Sequence, residues 1–161
     1  MKNYIDVSLL QIIKDTFPSA DYDTAAPQPA LYVAAEELSA LMRFLRDDTR
    51  FSFGRLENVT AVDYKTYFEM VYHLFNWPAG CWITVKVKLS HEKPFVPSVT
   101  NIFPGVEFEE REVYDLMGIG FTGHPDLRRI LLADDFEGHP LRKDYKQLIP
   151  PHVRRIRKEG C

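Results

Sequence analysis

The period of the hydrophobic positions changes along this chain. In "VSLLQIIKDTFP", Leu9, Ile12 and Ile13 share one helical face, with Leu10 and Phe17 close by, and Pro18 ends the helix. "SADYDTAAPQPALYVA" predicts two short strands around a proline-rich turn. In "EELSALMRFLRDD", Leu38, Leu41, Met42 and Leu45 fall at i, i+3, i+4 and i+7, the spacing of an amphipathic helix. The period then drops to two. "RFSFGRLENVTAVDY", "TYFEMVYHLFNW" and "CWITVKVKLS" are rich in β-branched and aromatic residues. The last puts Ile83, Val85, Val87 and Leu89 on one side and Thr84, Lys86, Lys88 and Ser90 on the other, which predicts a half-buried strand with one wet face. The connections are too short for crossover helices, so these strands are expected to be antiparallel.

After "HEKPFVPSVT" the pattern shifts again. "VEFEEREVYDLMG" predicts a helix with Val113, Leu116 and Met117 on one apolar edge, stopped by Gly118. Glu107, Glu109 and Glu110 lie in its first turn, where the helix dipole favours anions. Arg111 and Asp115 are four apart and are expected to pair on one face. Beyond Gly118, glycine and proline interrupt any long element, and no hydrophobic period follows "RRILL". The expected fold class is α+β, with helices on a largely antiparallel or mixed sheet and an extended C-terminal arm. The expected divisions are an α+β domain over 1–97, a strand and helix over 98–118, and an arm over 119–161 that lies on a partner.

Charge strengthens the idea of a partner. The chain of 161 residues carries −3 overall. From Arg142 onward seven lysines and arginines face two acids, a tail of +5 on a body of −8. A basic tail on an acidic body suggests a protein partner or a lipid surface. Cys81 and Cys161 form no cluster with each other or with histidine, which fits a reducing compartment. No apolar run approaches the ~20 residues of a membrane span, and the N-terminus shows no cleavage site for a secretory signal. The expected location is cytoplasmic, or peripheral on the cytoplasmic face of a membrane.

Several chemistries can be drawn from the side chains. His124, Asp126, Asp134, Asp135 and His139 supply metal-ligand atoms, but each histidine stands alone before a proline and no close pair completes a zinc set. A proline-stiffened histidine suits a rigid hydrogen-bonding anchor. Glu109, Glu110, Glu112 and Asp115 could supply two carboxylates to a small hydrolase, yet a charge run on a helix is more often a solvated or interface face. Cys81 opens an apolar strand and is expected in the core, and no nucleophile elbow or phosphate loop is present. The basic "HVRRIRK" lacks the interleaved aromatics of a nucleic-acid binder. What remains is a dense alternation of charges in a segment without a core of its own. Charges that dense are costly in an interface unless each finds a partner, which suits an arm embedded in a permanent complex.

The stretch from Pro97 to Tyr145 closely resembles the signature region of the 30 kDa subunit family of NADH–quinone oxidoreductase, a peripheral-arm component of respiratory complex I. The matching pieces are "SVT-IFPG" from Ser98, "EREVYD" from Glu110, "GI-F-GHPDLRRIL" from Gly118 and "EGHPLRKDY" from Glu137. Two departures are visible. Phe108 stands near where the family often has tryptophan, and "YKQLIPPH" delays a proline to Pro150. Related subunits occur in membrane-bound nickel–iron hydrogenases, formate hydrogenlyases and ferredoxin-linked relatives. The resemblance implies a subunit with no active site, metal or cofactor of its own. Iron–sulfur clusters, FMN and quinone, or a nickel–iron centre, would lie in other chains. It also implies two partners, the large quinone-site subunit and an iron–sulfur subunit, with indirect contact to the membrane arm and none to nucleic acid. On that reading Glu110, Arg111, Glu112 and Asp115 orient the helix and pair across the interface. His124 and His139 brace turns. Arg128, Arg129, Arg142 and Lys143 reach partner carboxylates, with Asp126 and Asp144 neutralising some of them locally.

Overall fold

A computed structural model describes residues 3–23 and 29–146. The basic run Arg154, Arg155, Arg157 and Lys158, together with Pro150, Cys161 and the middle of the proline-rich turn, lies outside the described residues. Helix α1 spans Val7–Thr16, and the Asp6 carboxylate accepts the Ser8 N–H at 2.8 Å to cap it. Its buried stripe is Leu10, Ile13 and Phe17, while Leu9 and Ile12 are only partly covered. Helix α2, Leu38–Asp47, buries Leu38, Leu41, Met42 and Leu45, the four positions its spacing predicts.

Among the described residues six strands form the main sheet: β1 (Asn3–Tyr4), β2 (Asp21–Asp23), β3 (Ala30–Tyr32), β4 (Arg55–Asp63), β5 (Tyr67–Asn76) and β6 (Cys81–Ser90). β4, β5 and β6 form an antiparallel meander. The other edge of β6 takes β1 and β3 in parallel, and β2 pairs antiparallel with β3. The sheet is therefore mixed around an antiparallel centre. One face of β6 is buried at Ile83, Val85, Val87 and Leu89, as alternation requires. The other face is less wet than alternation suggests. Lys86 bonds the buried Glu69 at 2.8 Å, and Val71 and Thr84 are buried on the same face. Lys88 and Ser90 remain exposed.

The rest of the chain is built onto this body. β7 (Phe95–Pro97) leads through a turn to α3 (Glu107–Met117), and β8 (Gly120–Thr122) returns parallel to β7. One hydrophobic core runs from Ile5 through Val99, Val113 and Met117 to Ile119 and Phe121. It crosses the divisions expected at 97 and 118 without a break. Residues 119–146 fold back over their own α3 and β7, because Ile119 and Phe121 have core positions to fill.

Candidate functional site

Helix α3 is the centre of the signature region, and its acids do not face outward as its charge pattern suggests. Glu110 and Asp115 are completely buried, and Arg111 is nearly so. Such burial is tolerable only with partners. Glu110 accepts the Ser98 hydroxyl at 2.6 Å and the Val99 N–H at 2.8 Å. Ser98 also lies 2.8 Å from Thr100 Oγ1, so the loop before α3 is folded around this carboxyl. Burial pushes the Glu110 carboxyl above its ordinary range, against the pull of those two hydrogen bonds. The Tyr72 hydroxyl is also buried and lacks a hydrogen-bond partner, and burial, then the nearby Glu110, raises its pKa.

Asp115 goes the other way. Burial works to raise it, but hydrogen bonds from the backbone of Leu132, Leu131 and Ile130 and from Arg129 outweigh burial and hold it below the usual carboxylate range. One oxygen takes all three N–H groups at 2.8–3.0 Å, and the other meets Arg129 Nη1 at 2.8 Å. Arg129 Nη2 then donates to the carbonyls of Phe136 and Gly138, both at 3.2 Å. The expected Arg111–Asp115 pair is therefore replaced. Asp115 pairs with Arg129, while Arg111 lies 3.6 Å from Asp126 and donates to the Arg128 carbonyl at 3.3 Å. Tertiary contacts override the local i,i+4 geometry because the arm covers that face.

Both histidines brace α3. His124 Nδ1 accepts the Asp126 N–H at 3.0 Å, so the ring proton sits on Nε2, 3.2 Å from the Glu107 carbonyl. His139 Nδ1 donates to the Asp115 carbonyl at 2.8 Å, and the Leu141 N–H reaches the Leu116 carbonyl at 3.0 Å. Those carbonyls would otherwise be left open at the helix end. Gly118 caps the same end at φ +72, and a Cβ there would lie 2.6 Å from the His139 ring. The two imidazoles thus work at opposite ends of α3 and are not brought together. Asp134 and Asp135 stand exposed on the loop between them.

The last charged group folds inward too. Arg142 holds Asp144 at 2.9 and 3.1 Å, reaches His91 Nδ1 at 3.3 Å and stacks over Phe68. The Lys143 N–H donates to Asp63 at 2.8 Å, and Asp63 also caps Lys65 N–H at 2.6 Å. Asp63, His91 and Asp144 form a potential three-ligand set among the described residues. Arg142 already supplies the cation there. Because it donates to His91 Nδ1, it leaves the ring proton on Nε2, 3.3 Å from Asp63. Asp63, His91 and Ser98 are anchors that the sequence reading missed. Asp63 ends an alternating strand and looks like any strand-end acid, so nothing local marks it. Of the predicted interface residues, Glu112, Arg128, Lys143 and Asp144 are exposed, while Asp126, Arg129 and Arg142 are partly covered by contacts within the chain.

The family model described as the 30 kDa subunit of respiratory-chain NADH dehydrogenase matches residues 31–149. An NADH-quinone oxidoreductase subunit from Moorella thermoacetica is 46% identical over 141 residues, covering 86% of this chain and 94% of that protein. The subunit of the same name from a Roseiflexus species is 42% identical, covering 86% of this chain and 83% of its own. Among solved structures, a chain of the archaeal membrane-bound sulfane sulfur reductase superposes with TM-score 0.74 and 27% identity, covering 95% of this chain and 89% of that one. A trypsin-resistant fragment of Nqo5 superposes with TM-score 0.62 and 28% identity, covering 74% of this chain and 98% of its own. The chain belongs to the family of the 30 kDa subunit of respiratory-chain NADH dehydrogenase, the NADH-quinone oxidoreductase.

Proposed function

We propose that this protein is a non-catalytic assembly subunit in the peripheral arm of a proton-translocating NADH-quinone oxidoreductase. It would clamp the large quinone-site subunit and steady the adjacent iron–sulfur subunit. The observation that carries this reading is the α3–arm unit. Its covered charges are spent on holding one backbone shape, with Asp115 binding three N–H groups and Arg129 two carbonyls. A catalytic acid or base needs access to a substrate proton, and Glu110 and Asp115 have none. A rigid frame has value where neighbouring redox groups must keep their spacing. On this reading FMN, iron–sulfur clusters and quinone belong to other chains, and the protein sits peripherally on the cytoplasmic side of the cell inner membrane. No helix among the described residues is long and apolar enough to cross a membrane.

A second reading is supported by the likeness to a chain of the membrane-bound sulfane sulfur reductase. The same protein could serve a membrane-bound [NiFe] hydrogenase, formate hydrogenlyase or ferredoxin-linked complex. Native mass spectrometry of the membrane complex, purified through a tag on this chain, tests both. Co-purification with a flavoprotein and a quinone-site subunit supports the first, and a nickel–iron or ferredoxin-linked large subunit supports the second. A chain recovered alone with stoichiometric zinc would overturn both.

A further inference from the structure

The Glu110 carboxyl lies in the core, and no lysine or arginine among the described residues pairs with it. Two titratable side chains face it. Tyr72 comes from β5, with its buried hydroxyl unpartnered. His124 comes from the arm, with Nε2 4.0 Å from Glu110 Oε2. Its Nδ1 is occupied in accepting the Asp126 N–H, so the imidazole takes up no proton in this geometry. The direct partners of the carboxyl are one N–H and one hydroxyl. Oε1 accepts the Val99 N–H at 2.8 Å, and Oε2 lies 2.6 Å from Ser98 Oγ. Ser98 Oγ in turn lies 2.8 Å from Thr100 Oγ1 and accepts the Thr100 N–H at 3.2 Å. Glu110 is fully buried, while Ser98 and Thr100 keep 6% and 7% of their surface exposed. The row of oxygens therefore leads from the carboxyl to the edge of the core.

A serine hydroxyl donates one hydrogen bond and accepts two. Both charge states of Glu110 fill that count at Ser98. With Glu110 ionised, Ser98 donates to the carboxylate and accepts from the Thr100 N–H and the Thr100 hydroxyl. With Glu110 neutral, the carboxyl donates to Ser98, which still accepts the Thr100 N–H and now donates to Thr100 Oγ1. No heavy atom has to move. Asp115 lacks this freedom, because its donors are three N–H groups and Arg129, none of which can accept. We propose that Glu110 is a buried proton-binding site, filled and emptied through a reversible hydroxyl relay of Ser98 and Thr100. On uptake a proton from water joins Thr100 Oγ1, the Thr100 proton passes to Ser98 Oγ, and the Ser98 proton passes to Glu110 Oε2. Each hydroxyl ends with one proton and a reversed direction, and the carboxylate has lost its charge. Burial is the strongest influence on this carboxyl and favours the proton-bound form, against the pull of Ser98, Val99 and His124.

The test is a pH titration of the full chain, followed by NMR of its isotope-labelled glutamate carboxyls. The Glu110 signal is assigned by its loss in Glu110→Gln. In the wild-type chain that signal should titrate above the ordinary glutamate value of 4.5. Thr100→Val removes the acceptor that Ser98 needs when Glu110 is neutral. Proton affinity should then fall about tenfold, a midpoint about one pH unit lower. Thr100→Ser returns the hydroxyl and should return the wild-type midpoint. Tyr72→Phe leaves the relay intact and should leave the midpoint where it is. A wild-type Glu110 that titrates at or below 4.5 overturns the site without any variant. A midpoint unmoved in Thr100→Val, or lowered equally in Thr100→Ser, overturns the relay, since packing at that position and not its hydroxyl would then govern the carboxyl. A Tyr72→Phe chain that shows the fall expected of Thr100→Val gives the proton a different partner and overturns it as well.

Discussion

The sheet body and the signature arm are stabilised by different means. The body, from α1 to β6, is held by strand ladders and by apolar side chains such as Leu41, Met70 and Val85 on one buried face. Those forces are spread over many interchangeable contacts. The arm from Gly118 to Lys146 has one short strand, and its shape depends on a few side chains that bind backbone: Asp115, Arg129, His124, His139 and Asp63. A region of the first kind degrades gradually when one contact is lost. A region of the second kind loses its shape when one anchor goes.

The largest effect is expected from Asp115→Ala, which leaves Arg129 and three N–H groups without their partner. The loss should be about 3–5 kcal/mol. Hydrogen exchange should quicken across residues 129–141 well before it does in β5. Equal acceleration in both regions would erase the contrast between them. Leu41→Ala should cost about 2–5 kcal/mol by cavity formation. Its signature in denaturant unfolding is a lower midpoint seen identically by probes in the sheet and in the arm. Gly118→Ala meets both a left-handed backbone and the His139 ring, so a loss of about 1–2 kcal/mol is expected from the conformation alone. Calorimetry of that variant beside His139→Ala separates backbone strain from the steric clash.

Glu110 and Asp115 sharpen the comparison through pH. Asp115 is lowered from 3.8, so the stability it contributes is full above that value and is lost as pH falls through its folded pKa. Glu110 is raised from 4.5, so the stability it contributes is present below that value and is lost as pH rises through its folded pKa. Acid titration of stability should therefore weaken the arm first. Glu110→Gln keeps acceptor and donor chemistry near Ser98 and removes a buried charge, so stability at neutral pH should change by no more than about 1 kcal/mol. A loss of several kcal/mol on that substitution would show that the charge itself is required. The smallest effect is expected from Arg128→Ala. Arg128 sits exposed beside Asp126, and the change should stay within about 0.5 kcal/mol by thermal melting.

Legibility in the sequence follows the same divide. Periodicity exposed the four buried positions of α2 and the antiparallel centre of the sheet, because a half-buried element must repeat its apolar positions. The parallel seating of β1 and β3 on β6 leaves no such trace, since pairing partners are not written locally. The signature motifs pointed to the right family. They did not show that Glu110 and Asp115 turn inward, because a buried acid and an exposed acid read alike until their donors are known. Those donors, Val99 N–H and the N–H groups of 130–132, are backbone atoms that any residue could supply. The histidines were legible as braces because the proline after each one restricts the backbone there, but not the carbonyls they reach.

The closure of α3 has a consequence for how the chain is made. The carbonyls of Asp115 and Leu116 are met by His139 and Leu141, more than twenty residues further on. A nascent chain leaves the ribosome N-terminus first, so the sheet can complete its ladders while the last turn of this helix is still open. The helix is sealed only when the second Gly-His-Pro has emerged. A chain cut short before that point would carry a finished body and an unlatched signature.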